Sequence, residues 1–376
     1  MEWENYVFWS ALISFILLVW HLRRKNSYKR SKLPPGPKGW PVFGNLFDLG
    51  SLPHRRLEAL RQQFGPVVWL KLGFVNTMVL LSAGAAEEFF KNHDLSFLDR
   101  FTNDSMRSHD YDKISIAFGS CSTYWRTLRR ICTSELFANK RINDTMLIRQ
   151  KSVDELLSWI DNEVEKGASG GLVLRNFVFP ALFNMIGNLT LSQDLVNPQS
   201  KISSEFFTAM DGVHECVGRP NISDLLPWLR KLDLQGIRRK MDCSLGKAIE
   251  IILIFVKERL EQRKQKQKVS EQKMDFLDVL LDYRGNGKDE PVKLSEYQVT
   301  IFLMEMFFAG TDSTRRRMCP GLPLAHRIVP LVLGSLLHHF EWELCDGVKN
   351  IDMRETMGAG VKLLDPLQAI PKQKMM

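Results

Sequence analysis

From Glu296 to Asp312 the residues repeat with helical spacing, yet no side of that helix is polar: Ile301, Phe302, Leu303, Met304, Met306, Phe307, Phe308 and Ala309 encircle it. A helix that is apolar all round has to be enclosed all round. Other elements must wrap it, and a chain of 376 residues, 44% of them hydrophobic, can supply them. Ser295 and Gln298, three apart, predict a capping box at its start. Further helical periods run over Ser82 to His93, Trp125 to Leu136, Ile142 to Val164, Phe177 to Leu189, Ser203 to Cys216 and Ile237 to Lys266. In the last of these, Ile237, Met241, Leu245, Ile249, Ile252 and Val256 return every three to four residues. Arg263 to Lys273 has no apolar face and reads as a solvated end. Val67 to Leu81 reads as two strands about a turn at Gly73 to Asn76. The expected class is mainly α with a small β-sheet.

The amino terminus sets a second constraint. Tyr6 to Leu22 is mostly apolar, about 25 Å long as a helix and enough to cross a thin bilayer. Glu2 and Glu4 precede it, while Arg23, Arg24, Lys25, Lys29, Arg30 and Lys32 follow. A cleaved signal peptide has the opposite order. The cations instead keep residues 23 onward in the cytosol. The sequence thus predicts a transmembrane signal anchor of the endoplasmic reticulum type over 1–22, with an amphipathic surface helix as the alternative. A basic stop and a stiff hinge follow over 23–46, where Pro34-Pro-Gly-Pro-Lys-Gly-Trp-Pro41 precludes helix. A single large cytosolic domain occupies 47–376.

The same cluster explains the charge. Six of the eight excess positive charges lie in it, so the basicity reports topology. No nucleic-acid partner is expected, because that would need cations spread over a folded groove. A cytosolic domain also leaves the sequons at Asn103, Asn143, Asn188 and Asn221 unmodified. Six cysteines without a Cys-x-x-Cys pair argue against a zinc ribbon or disulfide scaffold and for a reducing compartment.

Gly167-Ala-Ser-Gly-Gly171 fits G-x-S-x-G, but the end of a polar helix precedes the serine, so a flexible loop explains it better than a nucleophile elbow. No His-Glu-x-x-His, Walker loop or dinucleotide fingerprint occurs. Three other clusters can carry chemistry. Ala309-Gly-Thr-Asp-Ser-Thr314 sets a glycine, a carboxylate and three hydroxyls at the end of the apolar helix. Either the helix stops there or a polar notch opens onto a ligand. Cys319 precedes the helical run Leu322 to Phe340 and stands beside Arg316 and Arg317. The positive helix end and the guanidinium charges favour thiolate, the form that binds metal; an ordinary half-buried cysteine is the alternative. Trp125 and Arg129, four apart, share a helix face and can grip one planar, carboxylate-bearing ligand, although such pairs are common on solvated helices.

Taken together, PPGPKGWPVFGNL at 34–46, WRTLRR at 125–130, AGTDST at 309–314 and RRMCPGLPLA at 316–325 resemble a plant microsomal cytochrome P450. The likeness is to the clan of monoterpenoid and alkaloid oxidases that includes geraniol and iridoid oxidases. It implies a cytochrome P450-like fold behind the transmembrane helix, with a haem-thiolate monooxygenase domain over 47–376. The reaction it implies is insertion of one oxygen atom of O2 into a small lipophilic substrate, terpenoid or alkaloid-like. Electrons would come from NADPH through a separate NADPH-cytochrome reductase.

The implied cofactor is haem b, iron protoporphyrin IX, with Cys319 as the thiolate ligand of iron. Trp125, Arg129 and Arg317 would hold the propionates. Ala309 and Gly310 would border the notch, with Asp312 and Ser313 relaying protons. Ser313 stands where the family usually has threonine, and keeps the hydroxyl without the methyl that fixes its rotamer. Phe307, Phe308 and the loop around Phe97 to Ser120 would line an apolar substrate pocket, although a Phe pair at helical spacing is more often core.

One departure from the family pattern is large. Family members separate the oxygen-activating helix from the cysteine loop by a long segment, yet here Cys319 follows Thr314 by five residues. Arg315 occupies the glycine position of the loop, and its phenylalanine position falls on Asp312. Five residues reach at most about 17 Å, a marginal span if Ser313 and Cys319 lie on opposite faces of one macrocycle. The resemblance therefore implies an incomplete fold, a weakened haem site and an exposed apolar face.

Overall fold

The computed structural model of the chain describes residues 10, 13, 14, 33–97, 99–167, 171–195, 201–265, 275–288, 290–311, 319–345, 351–357 and 360–374. Most of Tyr6 to Leu22, and the site candidates Asp312, Ser313 and Arg317, lie outside the described residues. Among the described residues no helix is long and apolar enough to cross a membrane. The chain forms two compact units, 1–97 with 221–234, and 98–220 with 235–376.

In the first unit α1 (Pro53–Phe64) begins on Pro53, whose fixed φ suits a first helical turn. It packs Leu57, Leu60 and Phe64 against an antiparallel hairpin, β1 (Val67–Leu72) and β2 (Val75–Leu80). The expected strand pair is present, with a tighter turn at Gly73 and Phe74. Helix α2 (Ala83–Asn92) starts where Ser82 Oγ accepts from the Ala85 N–H. The Pro-rich hinge belongs to this unit, since the Trp69 N–H donates to the Pro35 carbonyl at 2.9 Å and the Lys71 N–H to Asn45 Oδ1 at 3.0 Å. Gly44, at φ 60°, lies so close to β1 that a Cβ there would stand 1.9 Å from the Lys71 carbonyl oxygen. Both its conformation and its space require glycine.

The second unit holds the helices α3 (Thr123–Ile131), α4 (Asn139–Asp144), α5 (Met146–Glu165), α6 (Arg175–Leu191), α7 (Lys201–Gly218), α8 (Ile237–Gln265), α9 (Phe276–Asp282), α10 (Glu296–Thr311) and α11 (Leu322–His339). The expected helix over 125–136 changes character at Cys132, where one π turn, Cys132–Leu136, ends it. Helix α10 is the enclosed one. Every residue from Val299 to Phe308 is buried, and α6, α8 and α9 pack about it. Its capping box forms as expected: the Gln298 N–H donates to Ser295 Oγ and the Ser295 N–H to Gln298 Oε1.

Phe307 stacks on Phe183 at 5.7 Å and meets Phe206 edge-on, while Phe308 lies between His214 and Phe118. Both rings are core, the commoner place for a Phe pair at helical spacing, and not a pocket lining. The apolar side of α8 is buried as its spacing predicts, from Ile237 to Val256. Arg259, further along α8, ties it to α9 through Asp275 at 2.8 Å and Asp278 at 3.0 Å.

Near the carboxyl terminus are two small sheets that the helical reading does not contain. Strand β3 (Leu172–Val173) pairs antiparallel with one end of β7 (Gln368–Gln373), and β4 (Phe340–Glu343) with the rest of it. A separate hairpin joins β5 (Glu355–Met357) to β6 (Val361–Leu363).

Candidate functional site

Helix α3 carries the first two expected residues. Ser122 caps it by accepting the Trp125 N–H at 3.1 Å, so Ser122→Ala should destabilise the second unit by about 1 kcal/mol, read as a lower urea midpoint. Trp125 is buried and Arg129 half-buried on the same face, with the guanidinium 5.4 Å from the centre of the indole. That is the expected pairing, held as a cation–π contact. The indole N–H, however, donates to the Ile116 carbonyl at 2.8 Å. In this geometry Trp125 serves as the platform under Arg129, and its donor is engaged within the protein.

The Ile116 contact leads to a residue that the motifs do not mark. Glu305, on the buried stretch of α10, accepts from the Tyr111 hydroxyl at 2.9 Å, the Ile116 N–H at 2.7 Å, the Ala117 N–H at 3.2 Å and the Ser115 hydroxyl. One carboxylate therefore fastens the loop that receives the Trp125 indole. Burial pushes the Glu305 carboxyl above the usual range, although the four donors act the other way. The Tyr111 hydroxyl is pushed up by burial and by the Glu305 charge. The sequence did hold a signal for Glu305: it is the one charged residue in the apolar run 301–309, and a buried charge without partners is too costly to keep.

Cys319 lies on the surface, and its carbonyl accepts the Leu322 N–H at 3.1 Å as α11 begins. A Cβ on Gly321 would fall 3.6 Å from the Cys319 Sγ and 3.5 Å from the ring of Phe137. The start of α11 thus abuts the turn that ends α3. Cys132, buried in that turn, shows what else converges there. Burial raises its thiol pKa; the charges of Glu305 and Cys319 act in the same direction and Arg129 opposes them. Ala309, one turn beyond Glu305, is exposed at the end of α10, and the backbone of Gly310 is still helical. The structure pairs Trp125 with Arg129 and sets the start of α11, which bears Cys319, against the turn that holds Cys132, a residue that sequence reasoning left unassigned.

The site can offer a forked cation over an aromatic plate and an accessible thiol at a helix amino terminus. Comparison with known proteins agrees. The cytochrome P450 family model matches residues 34–315. Cytochrome P450 76A2 of Solanum melongena is 37% identical over an alignment of 507 positions that covers 99% of this chain and 100% of the relative. Iridoid oxidase of Catharanthus roseus is 32% identical, covering 97% of the chain and 96% of the relative. Geraniol 8-hydroxylase of the same plant is 26% identical, at 95% and 97% coverage. The first alignment is far longer than the 376 residues of the chain, and the family match stops at Arg315, inside the short link between α10 and Cys319. With three quarters of its length matched by the family model and full-length likeness to plant oxidases of the same clan, the chain belongs to the cytochrome P450 family and is a haem-thiolate monooxygenase by descent.

Proposed function

We propose that this chain is a membrane-anchored monooxygenase of the endoplasmic reticulum that oxidises a small lipophilic substrate of the terpenoid or alkaloid-like class, and that the short link before Cys319 impairs it. The observation that carries the reading is the Arg129 guanidinium held 5.4 Å over the Trp125 ring, together with the exposed Cys319 thiol where α11 begins against the turn that ends α3. The apolar run Tyr6 to Leu22 with its trailing cations supports the anchor. The relatives named iridoid oxidase and geraniol 8-hydroxylase support the substrate class.

The residues present suit haem in donor type. An accessible thiol can ligate iron, and a half-buried guanidinium can pair with a propionate carboxylate. When bound, haem supplies activation of O2, one atom entering the substrate and the other leaving as water, with the electron pair drawn from NADPH through a reductase. Cys319 would hold the iron, and Arg129 with Arg317 the propionates. Trp125 orients Arg129 from beneath. Asp312 and Ser313 would pass protons from solvent at a carboxyl and a hydroxyl oxygen, and Phe307 and Phe308 belong to the apolar core. Glu305 holds the loop 115–117 and through it the Trp125 ring.

A second reading, a tethered fragment without catalysis, is favoured by one observation: the Trp125 N–H, expected on a propionate, is bonded to Ile116. Reduced microsomes carrying the chain and supplied with haem distinguish the two. The monooxygenase gives the carbon-monoxide difference band of a thiolate-ligated haem, and Cys319→Ala abolishes it. Absence of the band from the unmutated chain establishes the fragment.

A further inference from the structure

Arg149, in the first turn of α5, is only 4% exposed and carries a charge that its surroundings do not balance. Its Nη1 donates to the Ile142 carbonyl at 2.5 Å and to Thr145 Oγ1 at 2.9 Å. These contacts close the end of α4, where the last carbonyls attract a cation. Both acceptors are neutral, however, and among the described residues no acid acts on the guanidinium. Asp154, one of the two acids nearest in the chain, accepts from Gln150 at 3.0 Å instead. A buried charge without a counter-charge is costly to keep. The one charge that does act on Arg149 has the same sign. Helix α11 packs on α5, with Leu324 and Ile328 in one core cluster with Ile148 and Val153. Arg327, in the second turn of α11, therefore stands beside the seam that Arg149 borders from α5. Burial and the Arg327 charge together hold the Arg149 guanidinium below its usual pKa. Arg327 itself is exposed and has no hydrogen bond or ion pair among the described residues.

We propose that Arg149 and Arg327 bind a small oxyanion, a phosphate or carboxylate group, at the seam of α5 and α11. A guanidinium presents five donors in a fixed fork that matches such a group. Arg149 commits one nitrogen, Nη1, to α4; its Nε and Nη2 have no partner among the described residues and are not sealed from solvent. An anion set between the two helices turns a repulsion into two charge-assisted pairings. The other reading, that Arg149 serves only to close α4, accounts for the Nη1 contacts and leaves the second guanidinium beside it without a reason. Neither residue belongs to the set assigned to haem, so loss of the carbon-monoxide band leaves the proposal standing.

The test uses the whole chain in nonionic detergent, with inorganic phosphate or acetate exchanged for chloride at constant ionic strength. At least one of the two should raise the urea midpoint of the second unit saturably, and calorimetry should give a matching dissociation constant. The probe that binds shows whether a phosphate or a carboxylate group is taken. Arg327→Gln should weaken that binding at least tenfold. In chloride alone the same variant should raise the midpoint, because it removes a like charge from beside Arg149. Lys257→Gln, which removes an exposed cation of α8, should change neither result. Arg327 is varied in preference to Arg149 because loss of Arg149 also opens the end of α4. No saturable response to either anion, a response that Arg327→Gln leaves intact, or a lower midpoint of that variant in chloride overturns the proposal.

Discussion

Glu305→Leu should lower the stability of the second unit by about 3–5 kcal/mol, the range for breaking a buried, hydrogen-bonded ionisable site. Leucine fills nearly the same space, so the loss is polar. The Tyr111 and Ser115 hydroxyls and the Ile116 and Ala117 N–H groups would all be left inside the protein facing a methyl group. The urea midpoint measures the effect. A spectral probe adds specificity: once the loop at 115–117 is released, the Ile116 carbonyl no longer receives the Trp125 indole, and the tryptophan emission should shift.

The pH dependence has a definite sign. The folded-state pKa of Glu305 is raised by burial, so the native state keeps its proton to higher pH than the unfolded chain. Its contribution is complete below the ordinary glutamate value and is lost as pH rises through the raised one. Unfolding midpoints across that window should fall with pH in the parent, and Glu305→Gln should remove this part of the slope. Glutamine does not restore full stability, because its amide group would face a donor, either Ile116 N–H or the three at the other oxygen. A parent whose slope is unchanged by Glu305→Gln would sink this assignment.

Much of the architecture was legible from spacing alone, and the exceptions have identifiable causes. Helix α10 was readable because an apolar surface on all sides admits one solution, and its capping box is a local signal three residues long. The strand β7 was not, for Pro371 argues against a paired strand. The structure resolves the conflict: β3 pairs only at Gln368 and Ala369, so at Pro371, which is buried, the strand has a ladder partner on the β4 side alone. The π turn at Cys132 lies within a continuous helical period, and nothing local marks where such a period widens. In the site, the pairing of Trp125 with Arg129 followed from helical geometry. The engagement of the indole by Ile116 did not, because any nearby carbonyl could serve and tertiary packing chose it. Glu305 was readable in principle as a charge that a buried helix has to satisfy. The sequence names the charge but not its four donors, which come from a loop nearly two hundred positions away.

Restoring the absent segment in cis should produce the largest change of all. With the Solanum relative's segment inserted between Arg315 and Arg316, haem per chain should rise from a trace towards one, measured as the haem-to-protein ratio after reconstitution. The stripe of exposed side chains on α11, Leu322, Val329, Leu333 and Leu337, should pass from solvent to interior at the same time. Covering its four half-exposed side chains contributes about 1 kcal/mol each, half of what full burial gives, so about 4 kcal/mol in sum. Leu333→Asp tests this directly. In the present chain Leu333 is largely exposed, and the substitution should change stability by no more than about 0.5 kcal/mol. In the chain with the insertion, the same change would put a carboxylate into an apolar contact and should cost about 3–5 kcal/mol. Equal effects in both backgrounds would mean that the inserted segment does not cover α11, and the link between the gap and the exposed stripe would be wrong. A large effect only with the insertion assigns the stripe to the missing segment whether or not the restored chain turns over substrate, because the measurement reads packing and not catalysis.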